Sequence, residues 1–302
     1  GAARGLLAPP AAPRAVLVKP VEQLRPAAEL LRLDTSSKTM DEEFNQVLRE
    51  RVVPGPRRTY ETCAVVGSGG SLRDSNVGEE IDSHDLVIRM NSHPSQRFAR
   101  DVGNRTDMHL AYPQSYKTGE VPNVKYTIFC AFRRHHWSWL ACALRGIDVC
   151  THHAECYNST TEKPLPSCSP RIPSKVTTVS DAAMAVVSEY QQRALLKHFP
   201  SMGFMATVLA LQMCESVTLY GTGTGQASGG QKYCKYDVGP QASACVYDGV
   251  HIHDFPGEHS YFELLHACTD CGLRIRYERA APAGIQFSRL QQWEWEWAPS
   301  FD

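Results

Sequence analysis

The chain has no surplus of positive charge: 31 lysines and arginines stand against 32 aspartates and glutamates, a net charge of −1 over 302 residues. Without a basic excess to neutralise phosphates, nucleic acid is a disfavoured partner. No apolar stretch reaches the roughly 18–20 residues that a membrane-spanning helix needs. The opening G-A-A-R-G-L-L-A-P-P-A-A-P-R has no signal-peptide layout and reads as a truncated or processed end. No internal repeat is evident, and the cysteines are not grouped into the paired C-x-x-C knuckles of a zinc module.

Cysteine itself is abundant. Eleven residues, at 63, 130, 142, 150, 156, 168, 214, 234, 245, 268 and 271, are spread through the chain. That pattern indicates disulfides formed in an oxidising compartment, with one thiol left over. Two N-x-[ST] sequons, at Asn104 and Asn158, fit the same secretory setting. Cys150, Cys156 and Cys168 are close enough in sequence for a local bridge, and Cys234 can pair with Cys245. Cys268 and Cys271 can form a strained local disulfide or a redox pair, but separate partners are the favoured expectation.

Residues 1–58 are Ala- and Pro-rich, then charged, and read as a stem or linker with one short helix over Met40–Val52 that stops before Pro54. From residue 59 onward, β-prone runs alternate with helical patterns. Strands are expected at Cys63–Val66, Leu86–Met90, Met108–Ala111, Tyr126–Phe132, Val217–Tyr220 and Arg274–Tyr277. Helices are expected from Ser180 as a cap to about His198, over Met202–Met213, and over Tyr261–Ala267. Tyr157 to Ser174 holds four prolines and reads as an exposed loop. The alternation predicts an α/β domain with a mainly parallel central sheet flanked by helices.

Two segments about 150 residues apart each contain an apolar run that stops at glycine, and each carries one cysteine. The first is C-A-V-V-G-S-G-G-S-L from Cys63, continuing through I-D-S-H-D-L-V-I-R-M-N to Asn91 and D-V-G at Asp101–Gly103. The second is P-S-M-G at Pro200–Gly203, leading through Cys214 to V-T-L-Y-G ending at Gly221. A buried strand that ends at glycine lets a ligand phosphate approach backbone N–H groups.

The first segment, extended to Tyr112-Pro113, closely resembles the large sialyl motif of eukaryotic sialyltransferases, most of all their β-galactoside α-2,3 branch. Pro200–Tyr220 resembles the small motif, Tyr233–Asp237 (Y-C-K-Y-D) stands where the family has its third motif, and His253-Asp-Phe-Pro-Gly-Glu258 matches the very small motif, His-x4-Glu. The resemblance implies a single-domain variant of the glycosyltransferase type A fold over residues 59–302. It implies inverting, metal-independent transfer of sialic acid from CMP-sialic acid to a terminal galactose or N-acetylgalactosamine. It also implies a luminal Golgi setting behind a type II membrane anchor. The chain has no Asp-x-Asp triplet of the kind that holds a divalent ion on a diphosphate donor.

Residue by residue, the resemblance assigns His253 as general base with Glu258 as orienting partner, while His251 and His259 compete for the role of base. Ser68, Gly69, Asn91, Ser201 and Gly203 become candidate donor contacts. Cys63 and Cys214 match the family's bridging pair. The chain departs from the pattern at three points. Ser68 replaces asparagine, Met202 replaces threonine, and Cys234 or Lys235 replaces a histidine thought to assist the leaving phosphate, a role Lys235 can fill as a point charge. These departures keep two other readings open: transfer of another CMP-activated acid sugar such as Kdo, or a non-catalytic Golgi glycan- or nucleotide-binding protein. His135-His136-Trp137-Ser-Trp139 offers rings for an acceptor sugar or, more simply, a core strand end with surface histidines. Trp293, Trp295 and Trp297 alternate as a strand edge would.

Overall fold

A computed structural model of the protein describes residues 46–47, 50, 59–91, 96–116, 124–157, 168, 176–222, 253–269 and 271–276. Of the expected stem helix, Gln46, Val47 and Glu50 are described and helical. The third motif with Cys234, Lys235 and Cys245, together with Asn158, His251 and the Trp293–Trp297 stretch, lies outside the described residues.

The apolar runs become a seven-stranded sheet: β1 Tyr60–Val66, β2 Leu86–Met90, β3 Met108–Ala111, β4 Tyr126–Phe129, β5 Thr177–Thr178, β6 Cys214–Tyr220 and β7 Leu273–Arg276. Their order is β5-β4-β3-β2-β1-β6-β7, and every pairing is parallel. Helices cover both faces of the sheet, so the central strands β2 and β3 are buried on both sides. In β1, Cys63 and Val65 face one core with Leu86, Ile88 and Met90 of β2, while Ala64 and Val66 face the other with Val87.

The larger core is closed by three helices, α5 Asp181–Arg193, α6 Met202–Met213 and α7 Phe255–Ala267. Two short helices, α1 Gly78–Asp82 and α2 Ala99–Val102, cover the opposite face. A third cluster forms where α3 Arg134–Leu144 and α4 His153–Cys156 pack beside Ala111 and Phe129. Helix α6 is buried almost all round, which is why its sequence is apolar without a polar stripe.

Several expected boundaries move. Helix α5 ends at Arg193 because Leu195 adopts a left-handed φ of 52°. Leu196 N–H then bonds Gln191 O and Leu195 N–H bonds Gln192 O, a Schellman closure built without the usual glycine and so without its usual signal. Helix α7 starts six residues earlier than expected, since Asp254 caps it by accepting from Gly257 N–H at 3.1 Å and Pro256 fits its first turn. Residues 134–144 form α3, not a strand end. Trp137 and Trp139 are buried, Trp139 stacks on Phe129 at 5.6 Å, and His136 is buried with Nδ1 accepting from Phe132 N–H. Those rings are core, not a sugar platform.

Disulfides join Cys63 to Cys214, Cys142 to Cys156, Cys150 to Cys168 and Cys268 to Cys271. The last pair corrects the expectation of separate partners: Cys268 ends α7 in extended conformation, and a turn with Cys271 N–H on Cys268 O brings the two Cα atoms to 5.4 Å. Cys130 is free and buried. Asn104 is exposed.

The carboxylates of the large motif hold this frame together. Asp82 accepts from Asn104 and Arg105 N–H, Asp85 from Thr62 N–H, and Asp101 from Asp74 and Asn76 N–H, the last two residues having left-handed φ. The Cys63–Cys214 bridge spans 151 residues and fastens β1 to β6. Replacing both cysteines by serine is expected to lower the unfolding free energy by about 2–5 kcal/mol, read from urea titration. An unchanged midpoint would contradict a structural role for the bridge.

Candidate active site

The sheet order reverses at β1, whose neighbours β2 and β6 are reached in opposite directions, and ligands of such sheets sit beyond the carboxyl ends at that point. Here β1 runs into Gly67-Ser68-Gly69, β6 into Gly221 with φ 59°, and β2 into Asn91, also with φ 59°. Gly67 N–H bonds Tyr220 O and Gly69 N–H bonds Gly221 O, both at 2.8 Å. A Cβ on Gly67 or Gly69 would lie 2.5 or 2.6 Å from Gly221 O. These glycines therefore let two strand ends close on each other. The Gly69 N–H is engaged within the fold, whereas Ser68 makes no hydrogen bond to the described residues.

Asn91 lies just past Met90. Its Oδ1 is buried and accepts no hydrogen bond from the described residues. The α6 N-terminus is close by: a Cβ built on Gly203 would sit 3.8 Å from Met90 Sδ. Ser201 caps this helix, accepting from Phe204 N–H at 3.1 Å. The N–H groups of Met202 and Gly203 have no acceptor among the described residues, which leaves the positive end of a 12-residue helix facing the strand ends. Met202 itself is packed into the main core, so its side chain serves packing.

The very small motif arrives from α7 and grips the segment just before α6. Glu258 accepts from Ser201 N–H on Oε1 and from Ser201 O–H on Oε2, both at 2.6 Å. Burial pushes the Glu258 carboxyl up to about 7; the two Ser201 bonds oppose that rise and the Asp254 charge adds to it. At the motif's other end, His253 Nδ1 lies 2.7 Å from Phe199 O. A carbonyl can only accept, so Nδ1 carries the proton and Nε2 keeps its lone pair. Burial lowers the His253 pKa, the Phe199 bond raises it, and His198 lowers it again, for a net downward shift. The competing His259 has Nε2 against Glu263 Oε1 at 3.0 Å, one turn along α7.

Of the candidate residues, Ser201, Gly203, His253 and Glu258 are linked through the α6–α7 contacts, while Ser68, Gly69 and Asn91 follow the ends of the paired strands β1 and β2. The donors of Ser201 are taken by Glu258, so the open N–H groups at this helix end are those of Met202 and Gly203. The sequence reading missed His109, which is buried on β3 with Nε2 2.6 Å from Asn91 O. Its signal was present as a lone polar ring inside the buried run M-H-L-A. One group of potential metal ligands gathers among the described residues, Asp148 with Cys150 and Cys168, and those two cysteines are joined to each other.

The model of glycosyltransferase family 29 (sialyltransferase) matches residues 18–269. The chain belongs to this family. It is 34% identical over 212 residues to CMP-N-acetylneuraminate-beta-galactosamide-alpha-2,3-sialyltransferase 1 of Mus musculus, covering 69% of this chain and 56% of the mouse protein. The Homo sapiens protein of the same name is 32% identical over 237 residues, covering 74% of this chain and 64% of its own length. The chain thus spans less than two thirds of these relatives. A crystal structure of a mammalian sialyltransferase in complex with Gal-beta-1-3GalNAc-ortho-nitrophenol superposes with a TM-score of 0.61 at 21% identity, covering 90% of this chain and 97% of that one. A second mammalian sialyltransferase structure gives 0.59 at 23%. The fold is that of the sialyltransferase family, and its relatives by sequence lie in the α-2,3 branch.

A carboxyl whose pKa rises on folding stabilises the fold most below its unfolded value, and this contribution is lost as pH rises from about 4.5 to about 7. Urea midpoints measured across that window should fall more steeply for the parent than for Glu258→Gln. Glu258→Ala, which strands the buried Ser201 N–H, should cost about 2–4 kcal/mol at pH 6. Parallel pH profiles for the parent and the Gln variant would refute the assignment.

Proposed function

We propose that this chain is an inverting sialyltransferase, moving sialic acid from CMP-sialic acid to a terminal galactose or N-acetylgalactosamine of a glycoprotein or glycolipid glycan in α-2,3 linkage. The observation that carries the proposal is the fixed tautomer of His253: Nδ1–H is committed to Phe199 O, and Nε2 is left as a base of lowered pKa.

In this reading His253 Nε2 takes the proton of the acceptor hydroxyl as its oxygen bonds to the anomeric carbon. The bond from that carbon to the phosphate oxygen breaks, and CMP leaves with the electron pair. Inversion follows from attack opposite the leaving group. Negative charge growing on the phosphate meets the α6 N-terminus at Gly203, the Ser68 hydroxyl and the Asn91 amide, with Lys235 as an added point charge. Ser201 and Glu258 hold that helix end and the base in one frame. Charge stabilisation comes from fixed dipoles and side chains, and the family's metal independence fits this chemistry. Luminal Golgi residence behind a type II anchor agrees with the disulfides; no described helix is long and apolar enough to cross a membrane.

An acceptor array with CMP-sialic acid and CMP-Kdo tests the donor, and His253→Ala tests the base. Transfer is expected from CMP-sialic acid to galactose-terminated acceptors, with a loss of about 10²–10⁴-fold in His253→Ala. Transfer from CMP-Kdo alone would replace the donor assignment. Binding of CMP without turnover of either donor would make the chain a binding protein. Because the base works unprotonated and its pKa is lowered, the acid limb of kcat/KM should fall below 6.5, the ordinary imidazole value; a limb above it would exclude His253.

A further inference from the structure

We propose that His109 is a positioning residue for donor binding: its imidazole holds the Asn91 carbonyl, and thereby aims the Asn91 amide at the donor, in place of a missing rung of the β2–β3 ladder. The inference rests on the reading of Asn91 as a donor contact and adds the residue that makes that contact possible.

The register pairs Met90 with Leu110, and Asn91 N–H continues the ladder to Leu110 O at 2.8 Å. A regular parallel ladder would next send Tyr112 N–H to Asn91 O. That donor has turned away, lying 3.2 Å from Ser115 Oγ in the turn that ends β3. Asn91 itself has left the extended region, with φ 59°, so its carbonyl no longer points along the ladder. His109 Nε2 reaches it at 2.6 Å instead. The acceptor is a carbonyl, so Nε2 carries hydrogen, and burial keeps the ring neutral by lowering its pKa.

The result is an asparagine with both backbone groups tied to β3 and a side chain left over. Its Oδ1 is buried without a described donor, on the residue that follows Met90, whose Sδ lies 3.8 Å from a Cβ built on Gly203. A left-handed, non-glycine residue persists only where its surroundings hold it. Phe in place of His109 keeps bulk and burial but frees the carbonyl. Gln at the same position can still donate an N–H.

The test is a mutant cycle read by calorimetric titration with CMP, with melting curves to confirm folding. Asn91→Ala should weaken CMP binding about tenfold or more, and His109→Phe about tenfold, the scale of one buried hydrogen bond. In the Asn91→Ala background, His109→Phe should add nothing, and His109→Gln should recover much of the loss in the parent. Full additivity, or an unchanged affinity in His109→Phe while Asn91→Ala weakens binding, would overturn the His109 inference alone. Unchanged affinity in Asn91→Ala would remove the donor-site reading and this inference with it. If His109→Phe does not fold, His109→Asn, too short to reach the carbonyl, takes its place in the cycle.

Discussion

Everything proposed for this protein depends on how α7 holds the three residues that precede α6. His253 binds the carbonyl of Phe199, and Glu258 binds both the N–H and the hydroxyl of Ser201. Lys197 N–H adds a longer contact, 3.4 Å, to Asp254. A His-x4-Glu spacing places the histidine just before the helix and the glutamate within its first turn, so both can reach one short segment. The same contacts fix the tautomer of the candidate base and the orientation of the helix end that would receive the phosphate. Base and anion site therefore cannot drift apart without breaking the His253–Phe199 bond or the buried Glu258–Ser201 bonds, the latter costly to leave unmade.

The sheet supplies the second constraint. Strands β1 and β6 meet at glycines whose replacement would bring a Cβ to within about 2.6 Å of Gly221 O, and the Cys63–Cys214 bridge fastens the same two strands further back. A strand end this tightly closed gives little freedom to the neighbouring β2 end, where Asn91 turns left-handed. The acidic residues of the large motif act chiefly as clamps on backbone N–H groups. Much of the motif's recognisable sequence thus serves to fix backbone around the candidate site.

Much of this was legible in the sequence. The apolar runs gave β2, β3 and α6 at their observed boundaries, because buried strands and an all-round buried helix leave continuous apolar stretches. The paired glycine-ended segments and the His-x4-Glu spacing gathered the candidate site in one region. What escaped had no local signal or a misleading one. Leu195 ends α5 in a conformation normally given to glycine. Pro256 and Gly257 look like a loop but open α7, where Gly257 leaves room for the Asp254 cap: a Cβ there would lie 2.7 Å from Asp254 Oδ2. For Trp137 and Trp139 the simpler core reading held, but as part of a helix and not of a strand end, because aromatic residues near a histidine pair carry no local sign of which element buries them. His109 could not be linked to Asn91 from sequence because a side chain replacing a ladder bond depends on register and on a turn that pulls Tyr112 aside.

The most direct measurement is the ¹⁵N chemical shift of the two His253 ring nitrogens, followed through a pH titration of the selectively labelled protein. The structure predicts a protonated Nδ1 and an unprotonated Nε2 near neutral pH, with a midpoint below the ordinary imidazole value of 6.5. A ring protonated on Nε2 would mean that the grip on Phe199 does not form, a midpoint above that value would contradict the burial that lowers it, and either result would mean that His253 is not held as the base described.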